Sequence, residues 1–171
     1  DLVGAEIEML NIDSRESILK RILTPLKADY DYILIDCSPS LGLITVNALT
    51  ASDSIIIPVQ CEFFALEGIA KLLNTVKIIK SNLNPSLRIA GFLLTMFDGR
   101  SNLSKSIVSD VKEFFGDQVY DTLIPRNVRI PEAPSHGMPV MLYDYKSAGS
   151  QSYIRLAAEV LKREKEFLIH G

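Results

Sequence analysis

The most informative residue in this sequence is an aspartate at the end of an apolar run. Tyr32-Ile33-Leu34-Ile35-Asp36 is followed by Cys37-Ser38-Pro39-Ser40. An apolar strand that ends on one carboxylate and breaks into a Ser/Pro turn aims a negative charge at the carboxyl edge of a sheet. In open α/β folds that edge is where ligands bind. A hard carboxylate oxygen there suits Mg²⁺ beside phosphates, usually through water. The same nine residues also suit a buried strand that merely ends on a polar side chain, so the surrounding elements must decide.

Those elements alternate. Asp13-Ser14-Arg15-Glu16 has the pattern of a capping box and opens a helix with Ile18, Leu19, Ile22, Leu23 and Leu26 on its apolar side. Pro25 should kink or end it. Strand Tyr32 to Asp36 comes next, then a short helix from about Leu43 to Thr50 and a strand from Ser54 to Val59. Residues Ala65 to Lys80 place Leu66, Ile69, Leu72, Leu73, Val76 and Ile79 on one helical face and Lys71, Lys77 and Lys80 on the other. Asn82-Leu83-Asn84-Pro85 stops that helix, and Arg88 to Met96 reads as a buried strand. Ser101 or Asn102 caps a helix that runs to Phe115, with Gly116 as its stop. Val119 to Ile124 is a shorter expected strand, closed by Pro125. A Pro-rich connection then leads to Val140-Met141-Leu142-Tyr143 and a last helix, capped by Ser147 or Ser150 and ending near Phe167. This alternation predicts an α/β fold, a mainly parallel sheet flanked by helices, in a single domain over residues 1–171.

In such a sheet every strand delivers its carboxyl end to one crevice. Asp36 with Cys37 to Ser40, Gln60-Cys61-Glu62, Thr95-Met96-Phe97-Asp98 and Pro125-Arg126-Asn127 all fall there. Four polar or turn-forming strand ends favour one ligand site over coincidence, although loops are polar in general.

Composition narrows the classes. Apolar residues make up 47% and charged residues 23%, the balance of a globular domain. No apolar run approaches the roughly 20 residues that span a bilayer. Cys37 and Cys61 lack Cys-x-x-Cys spacing and read as buried thiols, and the two histidines supply no partner set for a transition metal. The net charge of −3 gives no global attraction to nucleic acid, so any such site is a local patch.

The strand-end segments and the words between them resemble the ParA/Soj partition ATPases, relatives of MinD in the deviant Walker class of P-loop proteins. The resemblance runs from about Leu2 to Leu161 and includes Gly4-Ala5-Glu6-Ile7-Glu8, Tyr30 to Ser40 and Asn47-Ala48-Leu49-Thr50. It continues through Ile57-Pro58-Val59-Gln60-Cys61-Glu62, Ala65-Leu66-Glu67-Gly68, Leu93-Leu94-Thr95-Met96, Ile124 to Arg129 and Glu132-Ala133-Pro134-Ser135-His136-Gly137. It implies that Asp36 is the Walker B aspartate serving Mg²⁺ and that Cys37, Ser38, Pro39 and Ser40 begin the switch that senses the γ-phosphate of ATP. Family members usually read Asp-Cys-Pro-Pro-Ser; Ser38 replaces the first Pro, which frees φ and restores an N–H. By the same resemblance Met96, Asp98, Pro125 and Asn127 line the adenine side. Pro125 and Asn127 equally suit strand termination and turn chemistry. Arg100 and Arg129 match the family's DNA-contacting positions, with Lys105 and Lys146 as weaker additions. A guanidinium fork suits phosphate, although a single arginine is more often a solvated surface residue.

The resemblance further implies a homodimer that binds DNA non-specifically when loaded with ATP, a stimulating partner of the ParB/Spo0J kind, and a cytoplasmic, nucleoid-associated location in bacteria. The family's Lys-Gly-Gly-x-Gly-Lys-Thr phosphate loop does not occur in these 171 residues, and the sequence does not begin with Met. The expectation is therefore the C-terminal part of a longer ATPase domain, incomplete at its N-terminal side and inactive alone. Two other readings stand beside it. A MinD-like membrane-cycling ATPase needs a detachable C-terminal helix; here Ile154, Ala157, Val160, Leu161 and Phe167 read as a docking face and the tail charges balance, so no stable membrane association is expected. A non-catalytic interaction module is the third.

Overall fold

Asp13-Ser14-Arg15-Glu16 does not fold as a capping box. Ser14 adopts left-handed backbone, φ 55° and ψ 38°, and its side chain caps nothing. One 3₁₀ turn covers Arg15–Ser17, helix α1 spans Ile18–Leu23, and a second 3₁₀ turn, Thr24–Ala28, carries Pro25 where it breaks the α-helix. The computed structural model describes residues 4, 8–9, 11–37 and 42–170. Ser38, Pro39 and Ser40 lie outside the described residues.

Helix α2 spans Leu43–Ala51, strand β1 Ser54–Gln60, helix α3 Ala65–Asn82 and strand β2 Arg88–Thr95. The two strands are hydrogen-bonded neighbours. At their amino ends the Arg88 N–H donates to the Asp53 carbonyl at 3.2 Å. At their carboxyl ends the Cys61 N–H donates to the Thr95 carbonyl at 2.9 Å, so the pair is parallel. A parallel pair needs a long crossover, which the amphipathic α3 supplies. Helix α4 covers Asn102–Phe115; the Ser101 hydroxyl caps it by accepting the Ser104 N–H at 3.2 Å. Gly116, at φ 50°, ends it in backbone that side-chain-bearing residues avoid. Short helices α5 (Arg129–Glu132) and α6 (Val140–Tyr143) precede the long α7 (Ala148–His170), whose first turn is capped by the Ser147 hydroxyl, not by Ser150. This is the α/β class, with parallel strands and helical crossovers, that the alternation of elements predicts.

Two expected strands are not strands. Residues 32–37 make no ladder among the described residues, and Leu34 is 91% exposed. Half-burial at Ile33 and Ile35 against exposure at Tyr32, Leu34 and Asp36 keeps the period of two, so the pattern persists while the ladder does not. A strand is defined by its hydrogen-bonded neighbour, and apolar alternation cannot supply one. Residues Val119 to Ile124 run beside β2 without a continuous ladder: the Tyr120 and Ile124 N–H groups donate to the Phe92 and Leu94 carbonyls at 2.9 and 3.0 Å, and isolated parallel bridges join Phe92 with Val119 and, just past both segments, Phe97 with Pro125. The intervening Asp121 and Thr122 N–H groups donate to the Glu159 carboxylate at 2.8 and 2.9 Å, which interrupts the ladder between those bridges.

The chain forms two compact units, Asp1–Ile55 with Ala70–Ile89, and Ile56–Ile69 with Ala90–Gly171. The first is built on Leu49, Val76, Ile79 and Leu87, with Val46, Ile55, Leu72, Leu83 and Ile89 packed around them. Its buried amides are satisfied by backbone. Asn84 donates to the carbonyls of Leu49 at 2.9 Å and Ser52 at 2.7 Å, and Asn47 donates to Arg15 and Leu43 and accepts from the Leu19 N–H.

The second unit is built on Leu93, Tyr120 and Ile124, covered by Ile56, Ile130, Tyr153, Leu156 and Val160. Gly91 belongs to this core, because a Cβ there would lie 2.7 Å from the Tyr120 ring and 2.8 Å from the Gln118 carbonyl. The docking stripe of α7 is therefore Tyr153, Leu156 and Val160. Of the expected face, Val160 packs on this core and Ile154 is half-buried; Ala157, Leu161 and Phe167 are exposed. Two adjacent stripes of α7 are apolar, and the buried one also carries Glu159 and Arg163. Their charges are met by backbone N–H and C=O groups of residues 117–122, so a polar residue at helical spacing faces the core.

Candidate functional site

The carboxyl ends of β1 and β2 and the segment after Ile124 are joined within the second unit by backbone hydrogen bonds. The Phe97 N–H donates to the Ile124 carbonyl at 3.1 Å, and the Arg126 N–H donates to the Phe97 carbonyl at 2.9 Å. These two bonds hold the Thr95-Met96-Phe97-Asp98 and Pro125-Arg126-Asn127 segments in parallel register. Met96 turns the chain out of β2 with φ 54°, a left-handed conformation that few non-glycine residues adopt. At the neighbouring strand end the Ser104 hydroxyl donates to the Cys61 carbonyl at 3.2 Å, fixing the start of α4 beside β1. The Glu62 carboxylate and the Arg126 guanidinium pair at 2.7 Å across the same edge.

The charged side chains here are paired. The Asp98 carboxylate accepts the Arg100 backbone N–H at 2.9 Å, its Nε–H at 3.0 Å and its Nη2–H at 2.9 Å. Those side-chain and backbone hydrogen bonds from Arg100, with added attraction from the Arg126 charge, hold the Asp98 carboxyl down to about 2. Asn127 Oδ1 accepts the Arg129 N–H at 2.9 Å, the turn chemistry its sequence allows. The Arg129 guanidinium reaches Glu132 at 2.8 Å and Asp144 at 3.3 Å, and the Tyr143 hydroxyl also donates to Glu132 at 3.4 Å. Hydrogen bonding to Glu132 raises the already high Arg129 pKa further.

The structure thus brings Met96, Asp98 and Arg100 onto the connection after β2, and Pro125, Asn127 and Arg129 onto the segment after Ile124 and the start of α5. Asp36 and Cys37 belong to the first unit. Both are exposed, and Cys37 departs from the expected buried thiol. Partial burial and the neighbouring Asp36 charge raise the Cys37 thiol, so it is a weaker nucleophile than its exposure suggests. Cys61 matches the buried expectation, and burial pushes its thiol up to about 11. Asp36 offers a single hard oxygen ligand, which suits Mg²⁺, an ion that keeps several waters and takes one or two carboxylates beside phosphates. No cluster of three or more His, Cys, Asp or Glu side chains able to hold a metal occurs among the described residues.

Sequence reasoning missed the carboxylates that meet the arginines. Only the fold sets Glu62 against Arg126 and Asp144 against Arg129. Two signals were legible: Arg129 and Glu132 at helical i,i+3 spacing, and Asp98-Gly99-Arg100, since an Asp two residues before a donor commonly closes a local turn. A concavity lies elsewhere in this unit, between Lys112, Asp117, Asp121, Lys162 and Glu166. It is a shallow groove of mixed charge at the amino end of the 119–124 segment, away from the strand-end residues.

A parallel α/β framework with its polar residues at the carboxyl strand ends is the arrangement of nucleotide-binding P-loop proteins. Residues 1–89 match the AAA domain family (AAA_31). The chain is 58% identical over 159 residues to the sporulation initiation inhibitor protein Soj of Bacillus subtilis, covering 93% of this chain and 63% of that protein. It is 52% identical to the chromosome partitioning protein ParA of Myxococcus xanthus, covering 96% of this chain and 58% of the relative. Among solved structures, cobyrinic acid a,c-diamide synthase from Mycobacterium smegmatis with bound ADP and magnesium superposes with a TM-score of 0.79 at 35% identity. That match covers 96% of this chain and 60% of that one. The chain belongs to this AAA domain family, and it is similar to the Soj and ParA proteins named above. It spans less than two thirds of the length of these relatives.

Proposed function

We propose that this chain is the C-terminal part of a ParA/Soj-type ATPase that binds DNA non-specifically as an ATP-dependent dimer and drives chromosome or plasmid partition. The carrying observation is the parallel clamp between residues 95–98 and 124–127, in a chain 58% identical to Soj. That clamp sets backbone groups of Pro125 and Arg126 and the amide of Asn127 at the carboxyl edge, where an adenine base would be read. Asp36 would hold a water of Mg²⁺, and the switch residues Cys37 to Ser40 would follow the γ-phosphate. Magnesium, when bound, would neutralise charge on the phosphates of ATP. Arg100 and Arg129 would lie against DNA phosphates, making binding strongly salt-dependent and nearly blind to sequence. A ParB/Spo0J-like protein is the proposed partner that stimulates hydrolysis.

The test is a titration of Mg-ATP into the 171-residue chain and into a chimera carrying the Bacillus subtilis Soj N-terminal segment ahead of Asp1. Binding by the chimera, lost on Asp36→Ala and weakened on Asn127→Ala, is the expected result. A folded chimera that binds no ATP would overturn the assignment.

A membrane-cycling role is the second reading. Leu161, Phe167, Leu168 and Ile169 are exposed on α7, a surface that a bilayer interface could take up. Lys162, Arg163 and Lys165 are matched by Glu159, Glu164 and Glu166, which leaves little pull toward anionic lipid. Co-sedimentation with phosphatidylglycerol vesicles separates the readings, and the partition role predicts that the protein stays in the supernatant.

A further inference from the structure

The two arginines assigned to DNA phosphate are each held by carboxylates of their own unit. Arg100 lies against Asp98 through two side-chain hydrogen bonds, with its side chain 92% exposed. Arg129 lies between Glu132 and Asp144. In Arg100 the guanidinium edge that would grip a phosphate with two parallel bonds is already engaged by one carboxylate, and in Arg129 two nitrogens, Nη1 and Nε, each face a carboxylate. We infer that Asp98, Glu132 and Asp144 form an autoinhibitory charge clamp that keeps Arg100 and Arg129 from DNA until a polyanion displaces the carboxylates.

This inference rests on the DNA-binding reading above and adds its regulation. The clamp is weak enough to open. Both pairs stand in water, where the attraction is screened and salt lowers it further. It is also selective: a single small anion at millimolar concentration competes poorly with a tethered carboxylate, whereas DNA offers a row of phosphates and releases counterions. The two clamps differ in construction. Asp98 is two residues from its arginine and also accepts the Arg100 backbone N–H, so it stays in place when the side chain leaves. Glu132 lies on the same short helix as Arg129, while Asp144 follows the next one, so a movement of α6 would remove one of two restraints. Hydrogen bonds from Arg100 hold the Asp98 carboxyl well below the ordinary carboxylate range, so mild acid does not release Arg100.

The test is fluorescence anisotropy with a labelled random-sequence duplex at 50 mM and 150 mM NaCl. It uses the 171-residue chain and the Soj-headed chimera with Mg-ATP. Asp98→Asn should tighten binding about two- to fivefold at the lower salt, and Glu132→Gln/Asp144→Asn by a similar factor. Each gain should vanish when the partner arginine is also changed to Ala. The exposed Glu113→Gln on α4 removes the same charge away from both arginines and should change little. Circular dichroism confirms that each variant is folded. A gain from Asp98→Asn that survives in the Arg100→Ala background would reflect net charge alone and would overturn the clamp, as would no gain in either protein. If Arg100→Ala/Arg129→Ala leaves the affinity of the chimera unchanged, the DNA-binding reading itself fails.

Discussion

The two units solve the same problem with different chemistry. In the first, neutral amides join the elements: Asn84 closes the last turn of α2, and Asn47 ties α2 to α1. In the second, a charged pair does so. Glu159 accepts the N–H groups of Asp121 and Thr122, while Arg163 donates to the carbonyls of Asp117 and Val119 and lies over the Tyr120 ring at 4.4 Å. The amides sit where burial is deepest and a charge would be costly, whereas the pair lies at the partly open rim of a core. The consequence is a difference in sensitivity: pH reaches the joints of the second unit and leaves those of the first untouched.

Tyr120→Ala should produce the heaviest loss. Its side chain is 1% exposed, and truncating a buried aromatic costs about 3–5 kcal/mol. Urea unfolding followed by circular dichroism measures the loss. Amide hydrogen exchange then shows whether residues 119–126 lose protection before those of α2; equal loss in both would merge the two units into one cooperative block. Asn84→Ala comes next, at about 1–3 kcal/mol, because it orphans the Leu49 and Ser52 carbonyls in a buried place. Asn84→Asp should cost at least as much at neutral pH, since a carboxylate cannot donate to either carbonyl. A thermal melt of both variants checks this.

Glu159→Gln isolates the charged joint. Burial acts to raise the Glu159 pKa, but the Asp121 and Thr122 N–H groups and the Arg163 charge outweigh it and hold the carboxyl below its ordinary 4.5. A carboxylate whose folded pKa is depressed contributes stability that is present above its unfolded value and lost as pH falls through the folded one. The parent should therefore lose stability below about pH 4.5, and the Gln variant should lose less over that window while being weaker at pH 7. Matching pH profiles for parent and variant would place the acid sensitivity elsewhere. The smallest change is expected at Leu34, which is 91% exposed: Leu34→Asp should stay within about 0.5 kcal/mol in this chain. A loss above about 2 kcal/mol, the cost of burying a charge at a packed position, would mean that residues 32–37 are held by neighbours after all.

Legibility followed the locality of the interactions. Helices α2, α3 and α4 and strands β1 and β2 were readable to within a few residues, since each carries its own period and its own start or stop signal. Ser101 and Gly116 are examples, each acting on chain within four residues of itself. The pairing of Arg126 with Glu62 and of Arg129 with Asp144 was not readable, because Glu62 is 64 residues from the first and Asp144 is 15 from the second, whereas Glu132 lies within helical reach of Arg129. The docking stripe of α7 was read one position away, because Glu159 and Arg163 look like solvent-facing residues until backbone groups to meet them are in view.

From residue types and spacing alone came the α/β class and the strand-end positions of Asp98 and Asn127, and the motif words carried the resemblance to partition ATPases that singled out Arg100, because periodicity, caps and motif words are short-range properties of the chain. Only the tertiary structure decided that Tyr32 to Asp36 stands without a ladder among the described residues, that Val119 to Ile124 is pinned by Glu159, and that Glu62 meets Arg126 and Asp144 meets Arg129. Each of these depends on which partner a group meets in space, and a hydrogen bond or an ion pair exists only when the partner arrives.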